Sequence, residues 1–98
     1  MDTLTGKQKR YLRGLGHHLN ALVQVGQRGI HETLIEKVNA ELENHELVKL
    51  KIGQDCLDNT KEAANALAEA TESALVQVIG RTLLLYRARE KEPEIRLP

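Results

Sequence analysis

A short glycine-flanked loop carries the residues best suited to bind a charged ligand. Gly26 and Gly29 enclose Gln27 and Arg28, between a predicted strand and the start of a predicted helix. Glycine allows positive φ and the close approach of another backbone, and the N–H groups that begin a helix favour phosphate. On these four residues alone, an ordinary tight turn between strand and helix is the favoured interpretation.

The spacing of this loop excludes two nucleotide-binding motifs. It lacks the third glycine of a dinucleotide fingerprint and the Gly-Lys-Ser/Thr of a nucleotide P-loop. A GxxG loop does clamp a nucleic-acid backbone in KH domains, although there it joins two helices. The loop is therefore predicted to bind no cofactor, and the case for phosphate binding depends on the residues around it.

The charge distribution strengthens the phosphate interpretation. Residues 1–31 carry five basic residues against one acidic residue (+4), residues 32–73 four against ten (−6) and residues 74–98 five against three (+2). The net charge of zero is thus a cancellation, and a surface with basic residues only is typical of a polyanion-binding protein. The predicted contact residues are Gly26, Gln27, Arg28 and Gly29 of the loop, Lys7, Lys9, Arg10, Arg13 and His17 of the first helix and, more weakly, Arg81 of a later turn.

The remaining reactive side chains predict neither a catalytic nor a metal site. The four histidines lack metal-binding spacing. Cys56 has no evident base partner, and Asp55 and Asp58 disfavour its thiolate. We therefore expect no enzyme, no metal and no small-molecule substrate. An acidic surface on the second helix is predicted from Glu32, Glu36, Glu43 and Glu46.

Hydrophobic periodicity predicts the element order αβαβαββ. The first helix, over residues 5–18, has a capping box of Thr5 and Gln8 and an apolar arc of Leu4, Tyr11, Leu12, Leu15 and Leu19. In the strand that follows the second helix, Lys49 and Lys51 alternate outward. The next predicted elements are a strand at 20–25, a helix from Ile30 to His45 and the strand at 46–52. The third helix is capped by Asp58 or Asn59, and its apolar face consists of Ala63, Ala64, Leu67, Ala70 and Ala74. Strands at 75–79 and 82–87 follow, joined at Gly80 and Arg81.

These elements predict one α/β domain over residues 1–98, a two-layer αβαβαββ fold with a small four-stranded mixed sheet. The outward lysines indicate that helices cover one face of the sheet and leave the other partly open. Residues 88–98 are charged, contain both prolines and are expected to form a mobile tail. No signal peptide or membrane span is apparent, and a lone cysteine favours the cytoplasm.

Four segments in the same order resemble the CRM (chloroplast RNA splicing and ribosome maturation) domain, in its bacterial stand-alone, YhbY-like form. The resemblance covers residues 4 to about 97. The segments are LTGKQKRYLRGL with the following His17, VGQRG at 25–29, HELVKLKI at 45–52, and VQVIGRTL at 76–83 followed by Leu85, Tyr86 and Arg87.

This resemblance implies a fold similar to the C-terminal domain of translation initiation factor three. It also implies RNA binding by the GxxG loop and the adjacent basic surface, with precursors of the large ribosomal subunit as the partner. Two features depart from the pattern: the third helix is expected to run through Thr71–Ser73 without the glycine that some relatives have there, and the middle of the chain is unusually acidic. The alternative function is a protein-interaction module that docks a basic ribosomal protein on Glu32, Glu36 and Glu43.

Overall fold

The computed structural model describes residues 4–56 and 59–98, and its elements follow the predicted order αβαβαββ. Of the two predicted caps for the third helix, Asn59 occupies that position, whereas Asp58 lies outside the described residues. The elements are α1 (Gly6–Gly16), β1 (Val23–Val25), α2 (Glu32–His45), β2 (Leu47–Ile52), α3 (Thr60–Ala70), β3 (Ala74–Ile79) and β4 (Thr82–Tyr86).

The four strands form one mixed sheet in the order β1-β2-β4-β3, which confirms the predicted sheet. β1 pairs with β2 in parallel, and β4 runs antiparallel to both β2 and β3. Strands β1, β2 and β3 therefore end at the same edge, where β4 begins. We call this edge the loop end, and the opposite edge, where β2 and β3 begin and β4 ends, the closed end.

Helices α2 and α3 cover one face of the sheet. The main core lies between them and the strands, with Val38, Leu42 and Leu67 among its fully buried side chains. The predicted small-residue face of α3 is correct at Ala63 and Ala64, which are buried. Ala70 is exposed because the helix ends there, Ala68 is buried instead, and Ala74 belongs to β3. Cys56 is a buried member of this core.

Helix α1 packs on the other face through part of its predicted apolar arc, in which Leu4 is half-buried. Leu12 is fully buried, whereas Tyr11, Leu15 and Leu19 are large exposed side chains. The helix makes its close approach one turn later through Gly16, where a Cβ atom would lie 2.7 Å from Leu84 Cδ2. Leu12 and Gly16, which lie four residues apart on one side of the helix, make the close contacts with the sheet. Most of the apolar arc therefore stays at the surface.

The ends of the helices show how local sequence sets their boundaries. The predicted capping box is confirmed, because the Gln8 N–H donates to Thr5 Oγ1 at 3.1 Å and the Thr5 N–H donates to Gln8 Oε1 at 3.0 Å. The prediction that the third helix runs through Thr71–Ser73 is wrong. It ends at Ala70, and Glu72 adopts φ = 52°, a left-handed conformation that usually belongs to glycine.

Glu46 corrects the predicted acidic surface of the second helix. Its side chain is fully buried, and its carboxylate accepts backbone N–H groups from Arg89 at 2.8 Å, Glu94 at 2.7 Å and Ile95 at 2.9 Å. Burial raises the pKa of this carboxyl, but the three backbone donors and the nearby Arg89 charge outweigh burial and lower it overall. Glu46 thereby connects the start of β2 to the C-terminal segment.

The C-terminal segment, residues 88–98, contains no helix or strand but makes contacts that its composition did not predict. Ile95 and Leu97 pack against the second cluster of buried side chains, which is formed by Leu12, Leu47, Val76, Leu84 and Tyr86. Together with α1, this segment covers the closed end of the second face. Within the described ranges, no helix combines the length and the apolar character that a membrane span requires.

Candidate functional site

Three connections meet at the loop end of the sheet. The Gly53 N–H donates to the Val25 carbonyl at 2.8 Å, directly before the GxxG loop. The Ile52 N–H donates to the Arg81 carbonyl at 2.7 Å, and the Arg81 guanidinium donates to the Gly53 carbonyl at 3.0 Å. These hydrogen bonds connect the segments that follow β1, β2 and β3. The GxxG loop therefore projects from an edge that the neighbouring connections stabilise.

The GxxG loop is a tight turn with a basic tip. The Gly29 N–H donates to the Gly26 carbonyl at 3.0 Å, and Gln27 and Arg28 are exposed between them. Gly29 is buried at φ = 67°, where a side chain would be strained. Gly26 has no such requirement, because a Cβ atom there would meet nothing within 4 Å. The open space at Gly26 allows a ligand to approach the backbone.

The start of α2 is less available to a phosphate than the sequence predicts. His31 caps the helix, and its Nδ1 accepts the N–H of Leu34 at 3.3 Å. Glu32 adds a negative charge to the first helical turn, which complements the helix dipole from within the protein. Arg28, and not the free end of the helix, is therefore the main positive feature of the loop.

Beside the loop end, the second face of the sheet carries a strip that α1 and the C-terminal segment leave open. Strand register places Gln24, Lys51, Thr82 and Ile79 in one row across all four strands, and Lys49, Leu84 and Gln77 in the next row. Lys51 is exposed, and Ile79 is 60% exposed, more than any other large hydrophobic side chain in residues 4–56 and 59–98. We call these two rows the open strip.

Lys49 joins the open strip to the end of α1. Its Nζ donates to the carbonyls of Gly16 at 3.2 Å and Leu19 at 3.4 Å, both at the C-terminal end of that helix. A cation at a helix C-terminus is stabilised by the helix dipole. The Lys49 charge is therefore held in place at the edge of the strip and is not free to move in solvent.

The predicted basic residues of α1 do not all lie at the loop end. His17 follows the last helical residue and borders the open strip together with Lys49 and Thr82. Lys7 lies in the first turn of the same helix, where the neighbouring Gln8 side chain donates to the Pro98 carbonyl at 3.3 Å. The two residues are about 15 Å apart along the helix axis, at about 1.5 Å per residue. Lys7, Arg10 and His17 are exposed, and Lys9 and Arg13 are half-buried.

Sequence reasoning left Lys49 and Lys51 out of the predicted site, although the alternation in β2 marked both as outward. The sequence predicted that their face is partly open, but not that the open part lies at the loop end, continuous with the GxxG edge. Arg81, conversely, is partly occupied by its bond to Gly53. Two other arginines, Arg87 and Arg89, bind carbonyl and carboxylate groups at the closed end.

The acidic residues of α2 lie on the covered face, away from the open strip. Glu32, Glu36 and Glu43 are exposed, and Glu43 forms an ion pair with Arg87 at 3.6 Å. Among residues 4–56 and 59–98, no group of three or more histidine, cysteine, aspartate or glutamate side chains is arranged to hold a metal ion. Arg28 of the GxxG loop and Lys49 and Lys51 of the open strip are thus separated from these α2 carboxylates, although the exposed Asp55 lies beside Gly53 at the loop end.

Comparison with known proteins gives a consistent family match. The family model described as CRS1 / YhbY (CRM) domain matches residues 4–87. The chain is 41% identical over 95 residues to Probable RNA-binding protein YqeI of Bacillus subtilis, covering 97% of this chain and 99% of that relative. It is also 41% identical over 98 residues to an RNA-binding protein of Haemophilus influenzae, covering 100% of this chain and 98% of the relative.

A solved structure matches the whole fold. The solution structure of the hypothetical protein SAV1595 from Staphylococcus aureus superposes with a TM-score of 0.83 at 48% sequence identity. The match covers 98% of this chain and 100% of the other.

Proposed function

Because the chain belongs to the CRS1 / YhbY (CRM) domain family, we propose that it binds RNA through the loop end of its sheet. The observation that carries the proposal is the convergence of the GxxG loop, the open strip and the end of α1 on one basic surface. Relatives of nearly the same length are named RNA-binding proteins, which supports a nucleic acid as the polyanion.

The chemistry of this surface suits the sugar-phosphate backbone. Arg28 at the tip of the loop and Lys51 on the strip supply exposed cations, and the backbone at Gly26 is open to a close contact. Contacts of this kind position RNA without reading its sequence. The remaining α1 residues extend the positive field toward the closed end and add longer-range attraction.

We further propose that the RNA is ribosomal RNA of the large-subunit precursor, bound during subunit assembly. The support is the resemblance of the four segments to the bacterial stand-alone type. Sedimentation of cell extracts on sucrose gradients tests this part. The protein should accompany precursor particles of the large subunit, and its absence from all ribosomal fractions would contradict the assembly role while leaving RNA binding intact.

Replacing Arg28 with Glu tests the loop directly. The substitution reverses a charge at the exposed tip, so the dissociation constant for structured ribosomal RNA should rise tenfold or more at about 0.1 M salt. Lys37→Glu is the matched control, because it makes the same change of charge on an exposed residue of α2 on the covered face. Equal losses in both variants, or none in Arg28→Glu, would remove the loop from the site.

The salt dependence of binding tests the phosphate mechanism. With about four to six phosphate contacts, the logarithm of the affinity should fall with the logarithm of salt concentration at a slope near −3 to −5. Arg28→Glu should also make that slope shallower by about one. An affinity that does not change with salt would contradict a surface built on phosphate contacts.

A further inference from the structure

The open strip contains a depression that the proposed phosphate contacts do not use. It lies between the C-terminal end of α1 and strands β3 and β4 and measures about 200 Å³. A cavity of about 150 Å³ is large enough for benzene, so one planar heterocycle fits this volume. Its apolar lining includes the buried side chain of Leu84 and the exposed side chain of Ile79.

The fold creates this depression by two local features. Gly16 has no side chain where α1 meets Leu84, and any Cβ atom there would press against the Leu84 methyl groups. In β3, a shift in register between Leu75 and Gln77 brings Gln77 opposite Leu84 and onto the open face. Bulges of this kind redirect a side chain and are frequent beside functional sites.

Polar groups surround the apolar lining in a pattern that fits a nucleobase. Gln77 and Thr82 are half-buried, and neither side chain forms a hydrogen bond with another residue in the described ranges. Lys49 uses two of its three N–H donors on backbone carbonyls, so one remains. The exposed imidazole of His17 offers a surface on which a base can stack.

The charges that line the depression, and its position beside the proposed phosphate contacts, indicate which ligand it binds. No carboxylate lines the depression, whereas Lys49 and His17 do, and Lys51 lies in the adjacent row. A nucleobase has apolar faces and a polar edge, which matches an apolar lining with an amide and a hydroxyl beside it. We infer that this depression binds one unpaired nucleobase of the RNA strand whose phosphates lie along the loop end. The inference rests on the proposed RNA binding and adds a base contact to it.

Two oligomers that share a sugar-phosphate backbone, only one of which has bases, distinguish base binding from phosphate binding. The full chain is titrated with a ten-nucleotide oligouridine and with a ten-unit abasic oligomer that has the same sugar-phosphate backbone. The wild-type protein should bind oligouridine about tenfold more tightly, as expected for one stacked and hydrogen-bonded base. In Gln77→Leu, which keeps size and charge but removes the amide, this preference should fall to less than threefold.

Gln24→Leu is the matched control. It makes the same substitution on the open strip, but on β1 and outside the depression. Any change it causes should therefore affect both oligomers alike, and the preference for oligouridine should remain. Thermal unfolding of each variant shows whether it is folded. If Gln77→Leu is not, Thr82→Val takes its place, because valine keeps the strand propensity and removes the hydroxyl.

Photocrosslinking locates the base independently. Oligomers that contain 4-thiouridine should crosslink mainly to the tryptic peptides of residues 62–81 and 82–87, which contain Gln77, Ile79 and Thr82. Equal affinity of the wild type for the two oligomers, an undiminished preference in Gln77→Leu, or crosslinks only to residues that do not line the depression would overturn the inference; a crosslink to His17 would support it, because His17 is part of the lining. Failure of RNA binding itself appears differently, as no affinity for either oligomer and no effect of Arg28→Glu.

Discussion

Charged side chains have different roles at the two ends of the sheet. They bind other groups of the protein at the closed end and remain available to a ligand at the loop end. At the closed end, the carboxylate of Glu46 and the guanidinium groups of Arg87 and Arg89 point into the protein and bind backbone and side-chain groups. At the loop end, Arg28 and Lys51 are exposed and Lys49 keeps one free donor. The net charge of a sequence segment does not show whether its side chains bind other groups of the protein or remain exposed.

The difference shows which basic residues are available to a ligand. The positive charge of residues 74–98 includes two arginines committed to internal contacts, so it contributes less to binding than its sum suggests. The positive charge of residues 1–31 lies on α1 and on the GxxG loop, where most of it faces solvent. Stability should therefore depend on charges at the closed end, and RNA affinity on charges at the loop end.

The largest effect on stability should come from Glu46→Ala. It leaves three backbone donors, those of Arg89, Glu94 and Ile95, without their acceptor, and each unmet buried donor costs about 1–3 kcal/mol. Because release of the C-terminal segment exposes those donors to water, we expect a total loss of about 3 kcal/mol. Urea denaturation measures the loss, and hydrogen exchange should show faster exchange at residues 89–95. A loss of RNA affinity without a loss of stability would contradict the division between the two ends.

A smaller effect at the closed end should be a dependence of the free energy of unfolding on pH. The pKa of Glu46 is lowered by folding, so the unfolded chain binds the proton more readily and stability rises with pH over this range. The contribution of Glu46 is fully present above its unfolded value near 4.5 and is lost as pH falls through the lower folded value. Urea midpoints at pH 7 and pH 3 should differ more for the wild type than for Glu46→Gln. Identical differences would show that another group is responsible.

The smallest predicted effect compares one lysine from each end. Lys51→Ala removes an exposed cation from the open strip and should raise the dissociation constant for RNA about threefold to fivefold, with a salt slope shallower by about one. Lys91→Ala removes an exposed cation from the C-terminal segment and should leave both quantities unchanged. Fluorescence anisotropy at several salt concentrations measures both variants. Equal effects would mean that RNA extends over the closed end as well.

The parts of the fold predicted correctly are those that nearby residues determine. Thr5 and Gln8 cap α1 by contacts within one turn, and the alternation of β2 fixes which side chains face the core. The burial of α1 was predicted poorly, because a helical wheel shows which face is apolar and not how far a short helix extends over a sheet. Leu12 and Gly16 make the close contacts, while Leu15 and Leu19 remain exposed.

The candidate site was predicted in its chemistry but not in its extent. The GxxG loop and the basic character of α1 follow from sequence, since they need only the order of residues. The alternation of β2 places Lys49 and Lys51 on one face, but the position of Gln77 beside them depends on strand order and on a shift in register, which no local pattern encodes. The contacts of residues 88–98 were missed for the same reason, because their acceptor, Glu46, is more than forty positions away.

The hydrogen bonds that Glu46 accepts from the C-terminal segment come from main-chain N–H groups, and this has a consequence for mutational tolerance. At positions 89, 94 and 95, most side chains leave the bond to the carboxylate intact, because each non-proline residue supplies the same donor. Proline is the exception, since it has no N–H to donate. The one proline inside the held stretch, Pro93, occupies a position that Glu46 does not use. The bonds to Glu46 therefore set the backbone path of the segment and not its sequence. Side-chain requirements at positions 89 and 95 come from the Arg89 contacts and from the packing of Ile95.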